Sequence, residues 1–348
     1  MRKTGLLALL LLVIVSFGVA GGCNNNSGNG GDGGVGEPAP GPIEPQYDIE
    51  LAIELMELSL VAYNQRTQCI NGGMGAITVP SPYTLEEVIY RSVITGSPCL
   101  DDDTVIPFAF IATLDDNIYV VFRGTETFSD EISDIAAFQI PYNFVPNGGK
   151  VSLGFLSAYQ GDNTNPVQSA ILSKLDELTM TGNYSNLYIT GHSLGGAVAF
   201  LAFPDFSQNV GMIDSVTMYN FAGPAVGDSQ FVSTYEATES LNRASFRIVN
   251  TNDLVPMLPP LGLNCDNFSY FHVDGEEKIF FGTVLPALPD FAGDSCDLVT
   301  IAAQLVVYGL INKDAIGENH SHCTYFSTLC SMGSSPSTCS QRAIGCTP

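Results

Sequence analysis

Apolar residues recur at helical spacing through Leu51, Leu55, Leu58 and Ala62, and Asp48 stands where an N-cap belongs, so a core-facing helix is predicted there. Two runs rich in β-branched and aromatic residues, Val105 to Leu114 and Asn117 to Phe122, flank Asp115-Asp116 and predict two strands joined by a turn. Beyond them the pattern alternates: a helix over Val167 to Leu178, a short strand over Leu187 to Thr190 and a helix over Leu194 to Phe203. Strands are predicted over Val216 to Phe221, Ser245 to Asn250 and Ile279 to Phe281, then an apolar helix over Leu298 to Ile311. Strands alternating with helices favour an α/β fold whose mostly parallel sheet is covered by helices on both faces. No internal repeat is visible, so residues 47–348 are expected to form one domain with a Cys-rich C-terminal extension.

The first 46 residues follow a different logic. Arg2 and Lys3 precede an apolar stretch from Leu6 to Val19, which is short for a membrane span and matches an export signal. Ala20-Gly21-Gly22 before Cys23 resembles the lipobox of bacterial lipoproteins, with Ala20 where that motif usually carries Leu. The resemblance implies removal of residues 1–22 and a lipid on Cys23. Asn24 follows the Cys, which in a Gram-negative host favours the outer membrane; ordinary secretion is the alternative. Residues 24–46, rich in Asn, Gly, Ser and Pro, read as a flexible tether.

Charge narrows the partners. The chain carries 36 Asp and Glu against 12 Lys and Arg, a net charge of −24, which repels nucleic-acid phosphates and anionic headgroups. Nine cysteines, less Cys23, leave eight that could form disulfides in an oxidising compartment, with Cys69–Cys99 and Cys265–Cys296 the pairings expected. No Cys and His spacing matches a structural zinc site, and no metal or cofactor is expected.

The candidate chemistry centres on Gly191-His192-Ser193-Leu194-Gly195. A serine hydroxyl attacks only when a base takes its proton. Here an apolar strand runs into the serine and a small-residue helix, Gly196-Ala197-Val198-Ala199, runs out of it, the strand–turn–helix setting that lifts the side chain clear of the backbone. Gly191 to Ala197 resembles the nucleophile segment of the class 3 lipases, the fungal-lipase-like branch of the α/β-hydrolases. Four further segments match in order. They are Val121-Phe122-Arg123-Gly124-Thr125, then Val151 with Gly154-Phe155 and Ala158-Tyr159, then Tyr219 to Pro224 with Val226-Gly227 and Phe231, and last Asn252-Asp253-Leu254-Val255-Pro256 with Leu258-Pro259. The likeness covers roughly residues 100–326.

In α/β-hydrolases the order is Ser, acid, His. Downstream of Ser193 the resemblance selects Asp253 over Asp205, Asp214, Asp228 and Asp266. Of the four histidines, His192 adjoins the serine and His272 lies in a segment resembling a structural strand, leaving His320 and His322. The family's base is followed three positions on by an aromatic residue; His322 with Tyr325 fits this and is the expected base. The oxyanion donors implied are the backbone N–H of Leu194 and of Thr125, the latter with its hydroxyl. Arg123 reads as a buried structural ion-pair partner.

Between Thr125 and Pro141, Ile132, Ile135 and Phe138 recur at helical spacing among acids, where related lipases carry an amphipathic lid; the family's frequent Trp is absent. Residues 283–319 form an insertion before the histidines. The expected activity is hydrolysis of carboxylic esters, acylglycerols first, through a Ser193–His322–Asp253 acyl-enzyme mechanism. Phospholipase A1 or short-ester hydrolysis, an inactive lipid-binding lipoprotein, and peptidase or amidase chemistry are the rival readings.

Overall fold

The computed structural model describes residues 45–70, 76–92, 105–125, 138–240, 242–259, 269–287, 304, 307–309 and 311–346. Its sheet has seven strands: β1 (Thr84–Ser92), β2 (Val105–Leu114), β3 (Asn117–Phe122), β6 (Asn186–His192), β7 (Ser215–Phe221), β8 (Arg243–Asn250) and β9 (Glu276–Ile279), in that spatial order. β1, β2 and β3 pair antiparallel; from β3 through β9 every pairing is parallel. A separate antiparallel pair joins β4 (Gln139–Pro141) to β5 (Lys150–Ser152).

Apolar side chains on both pleat faces explain why the central strands are buried on both sides. In β3, Ile118, Val120 and Phe122 join one core cluster while Tyr119 and Val121 join the other. The first cluster is closed by α2 (Leu153–Gln160), α3 (Gln168–Thr181), α4 (Leu194–Asn209) and α5 (Ser229–Glu236); α4 is buried from Leu194 through Phe206. The second is closed by α1 (Ile49–Ile70) and α7 (His322–Met332). α1 begins as expected: the Asp48 carboxylate accepts from the Glu50 amide at 2.8 Å. This sheet with helices on both faces is the α/β-hydrolase fold.

Some elements depart from expectation. β1, with Glu86 and Glu87 in its middle, is an acidic edge strand that hydrophobic alternation does not reveal. The last strand is Glu276–Ile279, not 279–281, because the polar residues 276–278 pair with β8. The expected helix over 298–311 lies mostly outside the described residues, although 307–309 and 311 are helical. Phe138 is not helical. Its carbonyl accepts from the Leu153 amide at 2.9 Å, which draws it into extended backbone beside β4. Ile132, Ile135 and Cys23 lie outside the described residues, as do the side chains of Cys69, Cys99, Cys265 and Cys296.

The C-terminal extension is stapled: α6 (Lys313–Asn319), α7 and α8 (Pro336–Ser340) follow one another, with disulfides Cys323–Cys346 and Cys330–Cys339. Among the described residues no helix is long and apolar enough to cross a membrane.

Candidate active site

Ser193 sits between β6 and α4 with φ 60° and ψ −123°, a backbone region that L-residues rarely occupy. The turn is that tight because its neighbours are glycines. A Cβ on Gly191 would lie 2.4 Å from the Gly195 carbonyl carbon, and one on Gly195 would lie 2.3 Å from the Phe122 carbonyl oxygen. The second contact brings the start of α4 against the end of β3. The Leu194 amide is one of the first-turn N–H groups that the helix ladder leaves over. Leu194 is buried and Thr125 half-buried. Ser193 itself is fully buried, its amide donating to the Phe221 carbonyl at 2.9 Å.

Asp253 follows β8 in a loop closed by a short 3-10 turn, Val255–Met257. Its carboxylate is completely enclosed. Oδ1 accepts from the Val255 amide at 3.0 Å; Oδ2 lies 2.7 Å from His320 Nδ1 and accepts from the Tyr325 hydroxyl at 2.9 Å. Burial raises the Asp253 carboxyl above the usual carboxylate range, against the pull of His320, which comes next in strength. Two of the rival acids, Asp205 and Asp228, are engaged elsewhere. Asp205, buried in α4, accepts from Tyr159, Gln168 and Asn209; Asp228 caps α5 through the Phe231 amide.

The acid's partner is thus His320, not the expected His322. His320 ends α6 and Ser321 caps α7, so one helix stops and the next begins between the two imidazoles. His322 opens α7 and lies flat on the Tyr63 ring of α1, with centroids 4.0 Å apart and planes at 4°. Burial, and then the nearby His320 imidazole, hold its pKa down to about 4. The spacing to Tyr325 pointed to His322, whereas Tyr325 reaches Asp253 through its hydroxyl and it is His320 that meets the carboxylate.

His192 packs beneath this group. Its ring centroid is 4.8 Å from that of His320, and Nδ1 is 2.9 Å from the Tyr63 hydroxyl. Burial, then repulsion from His320 and His322, hold it neutral. Tyr63 also crowds the segment before Thr125, since a Cβ on Gly124 would overlap its hydroxyl oxygen. Nothing in the apolar stripe of α1 singled out Tyr63. His272 supports the acid loop, its Nε2 donating to the Pro256 carbonyl at 2.5 Å, with burial pushing its pKa down to about 4. Arg123 is buried and donates to Gln65 Oε1 at 3.2 Å. His322, Cys323 and Cys346 lie close enough to share a cation, but both sulfurs are committed to a disulfide.

A strained serine at a strand–helix turn, with a buried carboxylate–imidazole pair packed against the ring of the preceding His192, defines a serine hydrolase of the α/β type. The chain belongs to the class 3 lipase family. The family model described as "Lipase (class 3)" matches residues 119–263. A lipase of Rhizomucor miehei is 30% identical over 270 residues, covering 69% of this chain and 68% of the relative. A solved Rhizomucor miehei lipase propeptide complex shares 27% identity with a TM-score of 0.49, over 66% of this chain and 68% of that one. The chloroplastic phospholipase A1-Ialpha2 of Arabidopsis thaliana is 31% identical over 170 residues, 44% of this chain but only 34% of that protein's length.

Proposed function

We propose that this chain hydrolyses the carboxylic esters of lipids, acylglycerols foremost, through an acyl-enzyme on Ser193. The observation that carries the reading is the enclosed Asp253–His320 pair at 2.7 Å, its imidazole 4.8 Å from the ring of His192, which precedes the strained Ser193. His320 takes the Ser193 proton as the oxygen attacks the ester carbonyl. The carbonyl oxygen becomes an oxyanion held by the Leu194 and Thr125 amides. The tetrahedral intermediate collapses, and the alcohol leaves with the proton from His320. Water, deprotonated by His320, then releases the acid and restores Ser193. Asp253 fixes the imidazole with Nδ1–H towards itself, leaving Nε2 as the base. Ser193→Ala should abolish p-nitrophenyl ester hydrolysis and fluorophosphonate labelling; a folded variant that keeps most of its activity overturns the mechanism.

Phospholipase A1 activity is the second reading, favoured by the Arabidopsis relative. The net charge of −24 disfavours anionic phospholipid surfaces, so triacylglycerol is the preferred substrate. Turnover of triolein, phosphatidylcholine and short esters by one preparation separates the two.

The same reading extends to location. Export, lipidation of Cys23 and display at the outer membrane or cell surface on the 24–46 tether follow from the leader and its Cys. The two disulfides of the extension are in keeping with an oxidising compartment. Ile132 and Ile135, which lie outside the described residues, are proposed as the apolar face of a cover over the serine. Cys23→Ser should release the protein from membranes and eliminate the acyl mass on the mature N-terminus.

A further inference from the structure

Asn319 is the residue before His320 and is completely buried. Its side-chain amide joins three separate pieces of chain. Nδ2 donates to the Asn252 carbonyl at 2.8 Å and to the Thr283 carbonyl at 2.7 Å, while Oδ1 accepts from the Thr283 amide at 2.9 Å. Its own carbonyl accepts from Asn250 Nδ2 at 2.9 Å. Two more asparagines complete the lattice. Asn250 Oδ1 accepts from the Asn252 and Phe281 amides, both at 3.2 Å, and Asn252 Nδ2 donates to the Phe281 carbonyl at 2.8 Å. The fit is close: Gly282 has φ +74°, and a Cβ there would come within 2.0 Å of Asn319 Oδ1. Thr283 and Asn319 also stand at the two ends of the 283–319 insertion, so the amide closes that insertion at its base.

We propose that Asn319 is a positioning residue that sets His320 against Asp253 by locking the end of the insertion to the acid loop. The proposal rests on the reading of Ser193, His320 and Asp253 given above. A buried carboxamide with both its N–H groups and its oxygen engaged has one low-energy orientation, because turning it would set like dipoles against one another. Asn252 is the residue before Asp253, and Asn319 is the residue before His320. The bond between them therefore fixes the separation of the two functional side chains from their backbones. Serine at position 319 is too short to bridge both carbonyls. Alanine at position 282 pushes on Oδ1 from the opposite side without altering Asn319.

The test compares wild type, Asn319→Ser and Gly282→Ala. Competent sites are counted by fluorophosphonate titration, then kcat per titrated site, KM and the pH profile of kcat/KM are measured on p-nitrophenyl butyrate. Both variants should lose about tenfold to a hundredfold in kcat per site, the scale of an ångström-sized misplacement, with KM within about twofold. The acid limb of kcat/KM should move to lower pH, since an imidazole held less closely by its carboxylate loses proton affinity. Should Asn319→Ser not fold, Gly282→Ala carries the same readout. Unchanged kcat per titrated site with an unchanged acid limb overturns the proposal. A wild type that neither labels nor turns over esters overturns the reading of the site as well.

Discussion

The Asp253 carboxylate meets the His320 imidazole at 2.7 Å, in an enclosure that leaves the carboxylate no contact with water. His322, two residues on, is spent on a stack with Tyr63. Alanine at the two positions should therefore have different consequences. His320→Ala is expected to lower kcat for a p-nitrophenyl ester by about a thousandfold or more, the effect of deleting a general base from a triad. His322→Ala should cost about tenfold or less, through looser packing around Tyr63. Equal losses, or the larger loss at His322, would return the base to His322.

Tyr325→Phe removes one hydroxyl that donates to Asp253 Oδ2 and accepts from the Asn250 amide at 2.8 Å. Both partners are then buried one bond short, which costs about 1–3 kcal/mol. Urea unfolding should report that loss, and kcat should fall several-fold with the orientation of the acid. A variant as stable as wild type would mean water replaces the hydroxyl.

Gly195→Ala places a methyl group 2.3 Å from the Phe122 carbonyl oxygen, a backbone atom that cannot rotate away. The end of β3 and the start of α4 must separate, and the Thr125 and Leu194 amides separate with them. We expect loss of measurable esterase activity together with a lower Tm, read by circular dichroism.

The buried imidazoles make stability pH-dependent. His272 and His322 are held to about 4 by burial, against about 6.5 in an unfolded chain. Between those values the unfolded state binds more protons. Stability is therefore full above about pH 6.5 and is lost as pH falls towards 4, at up to about 1.4 kcal/mol per pH unit for each group. Asp253, with its carboxyl raised by burial, acts in the opposite sense. The urea midpoint should drop from pH 7 to pH 4, and His272→Gln should flatten the decline; a midpoint constant across that range contradicts this account.

Cys323–Cys346 closes a span of 23 residues and ties the end of the chain to the first turn of α7. Cys346→Ser should reduce stability by about 3 kcal/mol on a loop-closure estimate, measured by urea unfolding. Activity on a soluble ester at low temperature should survive, because Asn319, His320 and Asp253 do not depend on that crosslink.

The strands β2 and β3 and the Ser193 turn were legible because local rules govern them. Alternation and β-branching mark the strands, and glycines at 191 and 195 mark a turn too tight for side chains. The order of segments carried the family and Asp253 with it. The choice between His320 and His322 was not local. It depends on how the break between α6 and α7 is packed and on which imidazole then faces a loop 67 residues earlier. Spacing counts residues along a chain, whereas a hydrogen bond is decided by distance in space. Tyr63 and Asn319 were hidden for the same reason, one inside an apolar helical stripe and the other an ordinary asparagine. Their roles exist only once α1, the acid loop and the base of the insertion have been packed together.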